Sequence, residues 1–309
     1  MNYQKWFDPG QPERATPAGA SEMGDRTESV PYYYQPNIEL AVNVAFATRR
    51  PVLVSGPSGC GKTTLAADIA RVLGWGFEKE VVTSRTQAVD LLYRVDHLRQ
   101  LQDTRTGLQP RQEYVTPGVL WRAFDPEGAA ARRSTSKDAP VLPPGAYKPE
   151  RNNGVVVLVD EIDKAEPDVP NNLLEPFGSY SFTVDELGFE VRALRPPLLV
   201  VTTNNERRLP DAFIRRCVDL TIALPDKDVL TAIGERHFKR ELEAYRTRHL
   251  GTGLLADVAD AVIATGSYST AEYLDTIRCI LNLGVDESSA NYGELTAVTV
   301  KKSARSVGQ

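Results

Sequence analysis

Four stretches of the chain carry residue types suited to phosphate chemistry. The first is Gly56-Pro57-Ser58-Gly59-Cys60-Gly61-Lys62-Thr63-Thr64. Its glycines let the backbone curl so that successive N–H groups turn inward, which suits an anion. Lys62 is placed to reach the β- and γ-phosphates of a nucleotide, and the Thr63 hydroxyl to bind Mg²⁺. The second is Asp160-Glu161, which closes an apolar run. Asp160 would hold Mg²⁺ directly or through water, and Glu161 would polarise an attacking water. The third is Asn204-Asn205, also at the end of an apolar run. An amide there can hydrogen-bond a γ-phosphate or position its water, although the same pair suits a plain turn. The fourth is Arg215-Arg216. Paired arginines usually form a solvated face, but their place here suggests a charge presented to a neighbouring subunit's nucleotide.

Such groups work only if the backbone brings them together. Pro51-Val52-Leu53-Val54 reads as a buried strand entering the glycine loop, and Leu65 to Leu73 has helical spacing beyond it. Strand, glycine loop and helix in that order form a phosphate-binding loop, with the helix start adding partial positive charge. Gly154 to Val159, with four valines, reads as a strand buried on both faces. Pro197 to Thr203 is a third such strand. In an open parallel sheet ligands bind at the carboxyl ends of the strands. The acid pair then sits next to the phosphate loop, and the asparagines also stand at a strand's carboxyl end.

The bulk composition sets bounds. The chain has 309 residues, 41% of them hydrophobic, enough for a large domain plus a small one. The net charge of −5 and pI of about 5.4 give no overall electrostatic attraction to nucleic acid. Cys60, Cys217 and Cys279 are sparse and odd in number, which argues against a disulfide framework and for a reducing compartment. His97, His237 and His249 show no metal spacing with them. No apolar run approaches the ~20 residues that span a bilayer, and the first residues lack a basic-then-apolar signal pattern. These features lead us to expect a cytoplasmic protein.

The remaining segments divide as follows. Residues 1–30 read as a disordered lead-in, in which Trp6 and Phe7 are either tail or a short docking element. Residues 31–224 read as one α/β nucleotide-binding domain. Within it Asn37 to Ala47 is a helix, Phe77 to Thr83 a strand, and Ala88 to Leu101 carries helical periodicity. Residues 126–153 have no period and read as a long surface loop. Pro167 to Phe177 is a helix, and Tyr180–Val184 with Phe189–Ala193 a β-hairpin. Leu209 to Cys217 is a short helix before the strand Val218–Ile222. Residues 225–285 read as a small helical domain with helices at Asp226–Leu250, Leu254–Ala264 and Thr270–Leu283. Residues 286–309 read as a polar tail.

In this order the glycine loop, acidic strand end, hairpin, asparagine strand, arginine pair and helical lid resemble an AAA+ ATPase. Glu113-Tyr114-Val115-Thr116-Pro117-Gly118-Val119-Leu120 resembles the "pGp" segment of MoxR-like ATPases, and Asn172-Leu173-Leu174-Glu175-Pro176-Phe177 their "LLEAM" helix. The resemblance covers about residues 32–283. It implies a P-loop doubly wound parallel sheet with a helical lid, and ATP with Mg²⁺ as ligands. It also implies that Lys62 and Thr63 are the Walker A residues, and that Asp160 and Glu161 are the Walker B metal ligand and base. Asn204 or Asn205 is then sensor 1. Arg216, with Arg215 as its neighbour, is the arginine finger acting across a homo-oligomeric ring, most often a hexamer. The chain departs from the pattern near the third lid helix. Many relatives carry the sensor 2 arginine there, whereas Gly266 to Tyr273 holds none before Arg278.

The resemblance favours an ATPase that remodels or matures a partner protein, with the partner on a separate chain and often bearing a von Willebrand A domain. Two other classes share these motifs. One is the motor of a nucleic-acid-directed or defence system, as in McrB-like GTPases, and the acidic pI and lack of an added domain oppose it. The other is a slow nucleotide-dependent switch or scaffold. The missing sensor 2 arginine favours that class, and the intact Glu161 opposes it.

Overall fold

The structure is a computed structural model, and it describes residues 5–10, 32–105, 107–133, 154–248, 253–266, 268–285 and 299. The readings of residues 134–153, of most of 1–30 and of nearly all of 286–309 lie outside the described residues. The chain forms two compact units. One holds residues 5–10, 35–55 and the described part of 65–221. The other holds 32–34, 56–64 and the described residues from 222 onward.

In chain order the elements begin with α1 (Pro36–Thr48), β1 (Val52–Ser55), α2 (Lys62–Leu73) and β2 (Gly76–Val81). Next come α3 (Ala88–Leu92), β3 (Tyr93–Val95), α4 (His97–Asp103), β4 (Val115–Pro117), α5 (Val119–Phe124) and α6 (Pro126–Arg133). Then follow β5 (Val155–Asp160), α7 (Asp168–Asn172), α8 (Leu174–Ser179), and the antiparallel hairpin β6 (Ser181–Val184) and β7 (Phe189–Arg192). The first unit closes with β8 (Leu198–Thr203), α9 (Asp211–Ile214) and β9 (Val218–Thr221). The second adds α10 (Lys227–His237), α11 (Lys239–Arg248), α12 (Leu254–Ile263) and α13 (Thr270–Leu283).

The first unit is built on a five-stranded sheet in the order β2-β5-β8-β1-β9, parallel throughout. The central strands β1, β5 and β8 are buried at every position, which explains their unbroken apolar runs. Val157, Val159, Leu199 and Val201 share a core with Trp121, Phe124, Phe177 and Phe213. The register pairs Val159 with Val201 and Val54 with Thr202, so Asp160 and Ser55 end their strands at nearly one level. Only β8 separates them, a lateral gap of about 10 Å for two strand spacings. Ser55 also shares a hydrogen bond of 3.0 Å with Thr221. The helical unit has its own core, with Leu230, Phe238, Leu255, Val258, Tyr273 and Ile277 fully or nearly fully buried.

Several segments differ from the sequence expectation. The periodic run Ala88–Leu101 is interrupted, because Tyr93–Val95 pairs with Val115–Pro117 as an antiparallel ladder. Pairing with a distant strand overrides local periodicity there. The segment read as a loop from residue 126 begins with α6, eight residues starting at Pro126, which suits a first helical position. The helix expected over Pro167–Phe177 is broken at Leu173 into α7 and α8. The helix expected from Asp226 breaks at Phe238, whose φ of −119° leaves the helical region while its ring is buried. Leu250 lies outside the described residues.

Phe7 is no loose tail residue, for its side chain is fully buried. The Asn43 amide on α1 accepts from the N–H groups of Trp6 (2.8 Å) and Phe7 (3.0 Å) and donates to the Phe7 carbonyl (2.9 Å). Losing a buried partner of this kind costs about 1–3 kcal/mol. We expect Asn43→Ala to lower the denaturant midpoint of unfolding accordingly, and an unchanged midpoint would show that Phe7 is not held through Asn43.

Candidate active site

Strand β5 delivers Asp160 and Glu161 to the carboxyl edge of the sheet. Asp160 is buried, and its Oδ1 accepts a 2.6 Å hydrogen bond from the Thr202 hydroxyl on the neighbouring β8. The Lys79 ammonium, from β2 on the other side, stands 3.2 Å from Oδ2. The carboxylate is thus oriented from both flanking strands. Glu161 is left-handed, with φ 61° and ψ 48°, a conformation rare for a residue with a side chain. Its N–H donates to the same Thr202 hydroxyl oxygen (2.8 Å), and its carbonyl accepts from the Lys164 N–H (3.0 Å). One threonine therefore fixes both acids.

The Glu161 carboxylate meets two donors. Lys164 Nζ is 2.6 Å from Oε2, and Asn204 Nδ2 donates to Oε1 at 3.3 Å. The hydrogen bond to Glu161 pushes the Lys164 pKa up, so its ammonium persists to higher pH than that of an ordinary lysine. Asn204 is set by a buried neighbour. Asp163 Oδ2 accepts from the N–H groups of Asn204 (3.1 Å) and Glu206 (2.9 Å), which shapes the turn after β8. Asn205 is exposed and left-handed (φ 59°), and its N–H goes to Thr203 Oγ1. Of the two asparagines, Asn204 is the one hydrogen-bonded to Glu161.

The glycine loop follows directly on Ser55. Gly59 and Gly61 have φ of 81° and 92°, a region that favours glycine. Lys62 is buried, and its ammonium donates to the carbonyls of Gly56 (2.7 Å) and Pro57 (2.8 Å). Helix α2 starts at Lys62, and Thr63 and Thr64 fall in its first turn. Ser58 is exposed, whereas Cys60 is buried, which pushes its thiol pKa up. The three cysteines are all free.

The segment lacking the sensor 2 arginine meets this loop. Ser269 caps α13 in a capping box with Glu272, the Thr270 N–H donates to the Gly59 carbonyl at 3.0 Å, and a side chain at Gly59 would collide with Ser269. Arg278 is engaged within α13, with Nη1 on Asp275 at 3.0 Å. Tyr32 also lies against the loop, with a ring carbon 3.2 Å from where a side chain at Gly61 would begin.

Arg215 and Arg216 follow α9 and are exposed, with no ion-pair partner among the described residues. Their backbones are fixed by Arg215 N–H to Asp211 O and Arg216 N–H to Phe213 O, both 3.0 Å.

Sequence reasoning passed over Thr202, Asp163, Lys164 and Lys79. Thr202 was signalled by period-two alternation, which puts it on the face shared with Asn204. Lys164 was signalled by its spacing of three residues from Glu161 in a tight turn.

The donor set fits Mg²⁺. That ion keeps several waters and uses one or two carboxylates together with substrate phosphates. Asp160 supplies one oriented carboxylate. Among the described residues no group of three or more His, Cys, Asp or Glu is placed to hold a metal by itself.

Known proteins resemble the chain in part or over most of its length. A family described as "AAA domain (dynein-related subfamily)" matches residues 51–217, a stretch containing the glycine loop, both acids, the asparagine turn and the arginine pair. Over 90 residues the chain is 36% identical to tRNA dimethylallyltransferase 1 of Hahella chejuensis, covering 29% of this chain and 28% of that protein. Among solved structures it is similar to a point variant of RuvB from Thermotoga maritima (TM-score 0.46, 17% identity, 84% of this chain and 66% of that one). It is also similar to a candidate ATPase of Cytophaga hutchinsonii (TM-score 0.43, 17% identity, 66% and 50%). The chain thus spans between about a quarter and two thirds of the length of these proteins. The family match takes in more than half of the chain, and the chain therefore belongs to the AAA family, in its dynein-related subfamily.

Proposed function

We propose that the chain is a MoxR-like AAA+ ATPase that couples Mg-ATP hydrolysis to remodelling or maturation of a partner protein. The observation that carries the reading is the shared carboxyl edge of the sheet. There β1 runs into the glycine loop while β5 ends in Asp160 and Glu161, with only β8 between them. Gly56 to Thr64 would take the phosphates, with Lys62 exchanging its two loop carbonyls for phosphate oxygens. Thr63 and Asp160 would hold Mg²⁺, which supplies charge neutralisation on the β- and γ-phosphates.

Glu161 would take the proton of the attacking water. Asn204 would serve as sensor 1, because its amide already reaches Glu161 and so can couple the base to the γ-phosphate side. The exposed Arg216, which has no ion-pair partner among the described residues, suits, beside Arg215, a finger that enters the site of the next subunit in a homo-oligomeric ring, most simply a hexamer. A client on a separate chain, such as a von Willebrand A domain protein, would receive the motion. A cytoplasmic location is consistent with three free cysteines, and no helix among the described residues is long and apolar enough to cross a membrane.

The test is phosphate release from ATP. We expect turnover that disappears when Mg²⁺ is chelated. Asn204→Ala should lower kcat by about tenfold or more, the cost of one misplaced catalytic contact, and Asn205→Ala should leave most of the rate. Release that ignores Mg²⁺, or a larger loss with Asn205→Ala, would contradict the assignment.

A further inference from the structure

The carboxylate read as the base is occupied by its own chain. Lys164 Nζ holds one oxygen at 2.6 Å, and Asn204 donates to the other at 3.3 Å. The shorter contact joins opposite charges and is the stronger of the two. It is built into the backbone. The short 3-10 turn Ile162–Lys164 brings residues three apart onto one side, and Thr202 pins the left-handed Glu161 that starts it. Rotation of either side chain separates the pair. A base must offer a lone pair to the water it activates, and an ammonium on that oxygen occupies one of its acceptor sites and offsets the charge that polarises the water.

We propose that Lys164 is a positioning residue that latches Glu161, and that turnover waits on release of this ion pair. The inference rests on the reading of Glu161 as the base. The latch is suited to opening in every cycle, since the Lys164 and Glu161 side chains are 41% and 29% exposed and water weakens pairs of this kind. Asp163 and Glu206 also bear electrostatically on Lys164. A released ammonium therefore has acidic neighbours to turn towards.

The experiment measures kcat and KM for ATP in Lys164→Met, Lys164→Arg, and Lys164→Met combined with Glu161→Gln. Lys164→Met should raise kcat about two- to fivefold, the scale of one half-exposed ion pair, with KM unchanged. Lys164→Arg, which keeps a cation in place, should restore the slower rate. In the Glu161→Gln background Lys164→Met should have no effect, because the latch acts only through the carboxylate. A fall in kcat with Lys164→Met, no change, or an equal effect in both backgrounds overturns the latch and leaves the ATPase reading standing. If neither wild type nor Lys164→Met releases phosphate while both bind a fluorescent ATP analogue, the latch and the hydrolytic reading fall together.

Discussion

Glu161→Gln should keep ATP bound and stop its hydrolysis. The substitution preserves shape and leaves an oxygen to accept from Asn204, so the turn after β5 should survive. The left-handed backbone depends on the Glu161 N–H and carbonyl, which the change does not touch. What disappears is the ability to take a proton. Positioned general bases contribute about 10²–10⁴ in rate, and we expect a loss in kcat on that scale with nucleotide affinity within about a factor of three of wild type. Single-turnover phosphate release beside a nucleotide titration separates the two quantities. A variant that turns over at the wild-type rate would remove Glu161 from the role and leave the acidic edge as a metal site only.

Arg216→Ala should be as damaging for a different reason. Its guanidinium is exposed and unpaired among the described residues, while its neighbours Phe213 and Cys217 are buried and hold the turn. Removing it costs the fold little, since surface changes away from packed features usually stay within about 0.5 kcal/mol. An arginine finger is typically worth about 10³–10⁵ in rate. The expected result is a near-total loss of turnover with an unchanged thermal midpoint and intact ATP binding. Arg215→Ala, at the other exposed position, should cost less. Retained turnover in Arg216→Ala would break the link between this turn and the neighbouring site.

How far the sequence foretold the molecule depended on how local each signal was. The glycine loop and the valine strand ending in Asp160 were legible because each is a contiguous pattern with one physical reading, and the parallel sheet followed from strands buried on both faces. The choice between Asn204 and Asn205 was hidden because it turns on the register between β5 and β8, which places Thr202 beside Asp160 and Asn204 near Glu161. Tyr93–Val95 was hidden for a similar reason, since its ladder partner lies some twenty residues away and local periodicity reads as helix. The burial of Phe7 rests on an amide in α1, a contact between segments 36 residues apart that no local pattern announces. The Lys164 contact was close in sequence and still unread, because it depends on the left-handed backbone at Glu161 and the 3-10 turn that follows, which no apolar periodicity marks.

We propose that Glu161 works in a site that Arg216 of the next subunit completes. Mixing the two inactive variants tests it most directly. In a randomly mixed ring about a quarter of the head-to-tail interfaces would pair an intact Glu161 with an intact Arg216. Phosphate release should then recover to a substantial fraction of wild type, although each variant alone is dead. A mixture that assembles and stays as inactive as its components would contradict the shared site.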